Sequence, residues 1–167
     1  MFTVLSAALL LIAVVPLAAA AATPTLKVTS SRLAATGASV SIDVKIQHFA
    51  PACCSFDTFD IRIAVDPNVL MPQTITLGPK VASWTVFTNC VNGVGTGCDL
   101  DDTTGVAHMA ATSSSGVPVY SHGPTPLFTI TYSAVNGAPS TAITATQVMI
   151  LHAGTAINPT IVNGFYG

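Results

Sequence analysis

An all-β sandwich is what these 167 residues predict, and three observations carry that reading. Apolar and polar residues alternate with period two in several short segments, the pattern of strands with one face on a core and one in water. Turn-forming pairs punctuate those segments at Asp66-Pro67-Asn68, Gly78-Pro79, Asn92-Gly93, Gly123-Pro124, Asn136-Gly137 and Asn158-Pro159. No 3.6-residue apolar period appears after residue 25, so about nine short strands are expected and no helix in the domain itself.

Taken in order, the chain opens on the apolar run Val4 to Val15, a break at Pro16 and the small residues Ala18 to Ala22. Residues 1–22 therefore read as a secretory signal peptide, although no Lys or Arg precedes Lys27. The run approaches the roughly 20 residues of a membrane helix, which keeps a retained apolar anchor or filament helix as the alternative. Residues 23–167 read as one domain, long enough to bury a core without metals or many crosslinks. Leu26 to Ser30 is a first short strand. Val40, Ile42, Val44 and Ile46 alternate with Ser41, Asp43, Lys45 and Gln47 in the next, and Phe59, Ile61, Ile63 and Val65 alternate with Asp60, Arg62 and Ala64 in a third. Shorter candidates follow at Gln73 to Leu77, Ser83 to Thr88 and Gly105 to Thr112. Phe128, Ile130 and Tyr132 against Thr129, Thr131 and Ser133 mark another, and Ala142 to Leu151 and Thr160 to Phe165 close the set.

Charge separates function classes. Only 7% of residues are charged and 50% are hydrophobic, which excludes disorder driven by charge. Five basic side chains cannot neutralise a row of phosphates, so nucleic acid is not the expected partner. All twelve formal charges lie between Lys27 and Asp102, leaving residues 103–167 neutral and rich in hydroxyl groups. Such neutral strand faces suit lateral packing or broad hydrogen-bonded contact. Glu is absent, as are a Gly-x-Ser-x-Gly elbow, a His-Glu-x-x-His pair and a phosphate loop, so neither an enzyme nor a cofactor is expected. His48, His108, His122 and His152 fall in four separate segments and read as ordinary polar contacts.

Secretion permits disulfides, and four cysteines allow three pairings. Cys90 and Cys98 bracket a loop with three glycines and an asparagine and are the expected pair. The adjacent Cys53 and Cys54 form a strained vicinal disulfide, two free thiols or a rival crosslink. Asp99, Asp101 and Asp102 place three carboxylates in four residues. They are a calcium candidate short of a full ligand set, and a solvated turn is favoured over a metal site. Trp84, Phe87, Phe165 and Tyr166 are too few for a sugar platform and are assigned to packing.

Several segments together resemble cohesin modules and the wider cohesin-like β-sandwich group: Ser39 to Val44, Phe59 to Leu70 with its Asp66-Pro67-Asn68 turn, Leu127 to Tyr132, and Val162-Asn163-Gly164. The resemblance spans essentially all of residues 23–167. The turn is its most specific element, since Pro67 fixes φ, Asp66 caps, and Val69 and Leu70 return to the core. The resemblance implies a nine-stranded flattened, jelly-roll-like sandwich that binds a partner protein, a dockerin in the best-known cases, through one sheet face. On that face it implies contact from Asp60, with Thr58 as its neighbour and Arg62 beside it; the plain alternative for Asp60 is a solubilising charge opposite Arg62. Further acidic positions of the family face have no counterpart here. The expected function is a secreted, non-catalytic module that recognises a surface protein or a glycan, and the alternative is a self-assembling subunit of a surface layer or pilus-like filament.

Overall fold

A computed structural model describes residues 22–50, 54–116, 118–136 and 139–167. The segment read as a signal or anchor helix lies outside the described residues apart from Ala22, as does Cys53. Among the described residues no helix is long and apolar enough to cross a membrane, and the helical content is a single 3-10 turn at Pro79–Val81.

Two sheets form a sandwich. Its strands are β1 (Thr25–Val28), β2 (Ser39–Gln47), β3 (Thr58–Ala64), β4 (Leu70–Leu77), β5 (Thr85–Val91), β6 (Val94–Thr96), β7 (Val106–Thr112), β8 (Thr125–Ala134), β9 (Thr141–His152), β10 (Thr155–Ile157), β11 (Thr160–Val162) and β12 (Gly164–Tyr166). One sheet runs β11-β1-β2-β8-β4, the other β10-β9-β3-β7-β5-β6 with β12 also paired to β9. The pairing of β1 with β11 is parallel and every other pairing between these strands is antiparallel.

Twelve strands among the described residues exceed the nine expected, for local reasons. Asn92 and Gly93 both take positive φ, which folds β6 back on β5 as a hairpin, and Ala153 and Gly154 do the same between β9 and β10. The segment expected as one strand from Thr160 to Phe165 divides at Asn163, whose side-chain oxygen accepts the Ala145 N–H at 3.0 Å. β11 thereby joins β1 in one sheet while β12 joins β9 in the other.

The period-two alternation delivers the core. Val40, Ile42, Val44 and Ile46 of β2 are buried, as are Phe59, Ile61 and Ile63 of β3 and Phe128, Ile130 and Tyr132 of β8. Phe49, Phe56, Trp84, Phe59 and Phe128 form a continuous line of rings with centroids 5.3 to 6.0 Å apart. Burying each such side chain is worth about 1.5–3 kcal/mol, so this line is a main source of cohesion between the sheets. The Asp66 turn closes β3 into β4: the Asp66 carboxylate accepts the Asn68 N–H at 2.9 Å, its carbonyl accepts the N–H of Val69 and Leu70, and both of those side chains are buried.

β7 departs from alternation. Six of its seven residues are buried, including the outward-pointing Val106, His108 and Ala110. A covering segment on the outer face explains it.

Candidate partner-binding face

The cover is the loop between β6 and β7. Cys98 is disulfide-bonded to Cys90, and register places Cys90 beside His108, so the loop is fastened to the outer face of the second sheet. Gly97, at φ +67°, lies so near the Phe87 carbonyl that a Cβ would collide with it. Gly105, at φ +87°, ends the loop; a Cβ there would stand 2.7 Å from the Val65 carbonyl oxygen, while its own carbonyl accepts the Val65 N–H. Cys54 is also in a disulfide.

The loop brings its carboxylates onto β3 and β7. Register sets Arg62 of β3 between His108 of β7 and Gln147 of β9. Arg62 Nε donates to Asp102 Oδ1 at 2.8 Å, Nη2 to Asp99 Oδ2 at 2.6 Å and Nη1 to Gln147 Oε1 at 2.7 Å. Asp102 Oδ2 accepts from the Asp99 N–H at 2.9 Å and lies 2.8 Å from His108 Nδ1. The other ring nitrogen, Nε2, lies 2.7 Å from Asp60 Oδ1, which also accepts from Gln147 Nε2 at 3.0 Å. Arg62, Asp102 and His108 are 7%, 2% and 3% exposed, so these are interior ion pairs under a surface loop.

Neighbouring charge outweighs burial in this cluster. Burial works against the charged forms of all three groups. Nevertheless Arg62 is raised above its ordinary value by its hydrogen bond to Asp102 and the charges of Asp102, Asp99 and Asp101. Asp102 is held below the usual carboxylate range by hydrogen bonds from His108, the Asp99 backbone and Arg62. His108 is raised by its bonds to Asp60 and Asp102 and by their charges.

Thr58, Asp60 and Arg62 share one face of β3, as their spacing requires, but they do different things there. Thr58 Oγ1 hydrogen-bonds Thr112 Oγ1 at 2.9 Å. Asp60 is part exposed, and both of its side-chain hydrogen bonds among the described residues fall on Oδ1, leaving Oδ2 without one. Arg62 does not oppose Asp60 as a surface charge pair would. Its guanidinium turns under the loop to Asp99 and Asp102, and so takes the place a cation would fill among the carboxylates of the calcium candidate. Asp101 stands farther out, 3.8 Å from Arg62. Trp84 is buried between Phe56 and Phe59, and Tyr166 is buried with its hydroxyl accepting the Ala34 N–H at 2.8 Å, while Phe87 and Phe165 are exposed.

His108 and Gln147 are the members of this cluster that sequence reasoning did not single out. His108 does occupy an outward position in the β7 pattern, yet only the register of three strands puts it between Asp60 and Asp102. The remaining histidines lie elsewhere: His48 after β2, His122 against the Tyr120 ring, and His152 at the end of β9, 3.7 Å from Asp57.

The family model for the cohesin domain matches residues 24–165. The chain belongs to the cohesin family. A non-cellulosomal cohesin from the archaeon Archaeoglobus fulgidus superposes with a TM-score of 0.66 at 18% identity, covering 87% of this chain and 90% of that one. A type I cohesin–dockerin complex from Clostridium thermocellum gives 0.65 at 12% identity, with 87% and 98% covered. The sixth cohesin of scaffoldin B from Acetivibrio cellulolyticus, in complex with a dockerin, gives 0.66 at 11% identity, with 87% and 99% covered. At these identities the structures speak for the cohesin fold. No curated protein sequence matches the chain.

Proposed function

We propose that this cohesin domain is a secreted, non-catalytic recognition module at the cell surface, and that it binds a protein partner through the outer face of the second sheet at β9 and β3, beside the fastened loop. The observation that carries the reading is Asp60: one carboxylate oxygen is fixed by two donors and the other is left as an acceptor at the surface. Met149, its register neighbour on β9, is 40% exposed and supplies apolar contact area beside it. Two of the similar structures are cohesins holding dockerins, which supports a protein of that kind as partner. A rigid sheet face binds with little ordering cost on its own side. In a pull-down from native extracellular extract, Asp60→Ala is expected to weaken capture by about tenfold, the size of one lost hydrogen bond to a charged group; capture equal to wild type would reject this face.

A second reading, a structural subunit that packs against copies of itself, draws on Ile161, Val162 and Phe165, which are 44%, 41% and 50% exposed on β11 and β12. Light scattering of the isolated domain tests it: a monomer at all concentrations removes it.

A further inference from the structure

Among the described residues His108 alone hydrogen-bonds both the Asp60 carboxylate and a carboxylate of the tethered loop. A neutral imidazole has one N–H, so one of its two contacts at 2.7 and 2.8 Å would set a nitrogen lone pair against a carboxylate oxygen. Both contacts close only when the ring is an imidazolium. The groups that face it are Asp60 from β3 and Asp102 from the loop, with Arg62 sharing Asp102 and with Asp99 and Asp101 outside Arg62. β9 adds the neutral Gln147, which reaches both Arg62 and Asp60, and β5 adds Cys90, tied up in its disulfide.

We propose that His108 is a positioning residue: its imidazolium clamps the Asp60 carboxylate to the disulfide-fastened loop at residues 98–104, so that loss of one proton, with the remaining N–H kept by the wholly buried Asp102, frees the Asp60 carboxylate. The consequence for partner binding rests on the reading of the Asp60 face given above; the clamp itself does not. With the proton gone, Asp60 keeps only Gln147 as a donor, while Asp102 keeps Arg62, the Asp99 N–H and the remaining imidazole N–H.

Imidazole nitrogen resonances of the full chain, followed from about pH 5 to about pH 9, test the clamp directly. Both nitrogens of His108 are expected to be protonated at pH 7, with a midpoint above the ordinary imidazole value of about 6.5. Asp60→Asn, which leaves the Arg62–Asp102 pair intact, is expected to weaken proton affinity at His108 by about tenfold. A single neutral tautomer at pH 7 or a midpoint unmoved by Asp60→Asn would each overturn the clamp. Capture from extract at pH 6 and pH 8 reads the consequence, with weaker capture expected at pH 8 in the wild type and no such difference in Asp60→Asn. If His108 titrates as stated while Asp60→Ala captures normally, the partner face is wrong and the clamp stands. If His108 is neutral, the clamp is wrong whatever the capture shows.

Discussion

Tyr132 places a phenolic hydroxyl in the core, fully buried and without a hydrogen-bond partner among the described residues. Burial pushes its ionisation upward, so it stays protonated at any ordinary pH. An unsatisfied buried hydroxyl costs about 1–3 kcal/mol, and the ring keeps its packing without it. Tyr132→Phe is therefore expected to leave stability unchanged or raise it by up to about 1 kcal/mol, read from a urea midpoint; a clear loss would mean the hydroxyl has a partner. Arg62 is the opposite case. Removing one member of a buried pair strands the others, so Arg62→Ala is expected to cost about 3–5 kcal/mol in the same measurement, and Arg62→Lys to recover only part because it lacks the planar fork that serves Asp102, Asp99 and Gln147 together. Of these side chains the sequence marks Asp60 and Arg62 through strand alternation, whereas His108 and Gln147 become visible only when pairing register is known.

The fastened loop is the element that distinguishes this sandwich. The Cys90–Cys98 bond closes eight residues of sequence separation, for which chain entropy gives about 2–3 kcal/mol. Cys90→Ser with Cys98→Ser should lower stability by about that much in chemical denaturation, and should speed amide exchange in β7, whose outer side chains the loop covers. Equal exchange in β7 would show that the carboxylate contacts hold the loop without the bond. Strand alternation makes β2, β3 and β8 legible in the order of residues alone, because each shows one face to the core and the other outward. It could not foretell that β7 is covered on both sides, since nothing in Val106 to Thr112 records where another part of the chain will lie. The three-residue strands escaped for a related reason: a segment that short carries too little pattern, and the split at Asn163 depends on an amide from β9.

For the molecule as a unit, the buried cluster sets the response to acid and base. His108 is raised, so its imidazolium contributes stability that is fully present below about pH 6.5 and is lost as pH climbs through the elevated value. Asp102 is depressed, so its carboxylate contributes stability present above about pH 4 and lost as pH falls through the lowered value. The melting temperature is expected to peak between those limits and to decline on either side, with His108→Gln flattening the alkaline limb; a wild-type profile level from pH 6 to pH 9 would contradict this. The same cluster neutralises much of the charge the chain possesses, since Arg62 and His108 answer Asp60, Asp99 and Asp102 beneath the loop. A small negative balance remains on that face, since Asp60, Asp99, Asp101 and Asp102 outnumber Arg62 and His108. An incoming molecule is steered only weakly by so small an imbalance, so its association rate should be modest and shift only slightly with added salt.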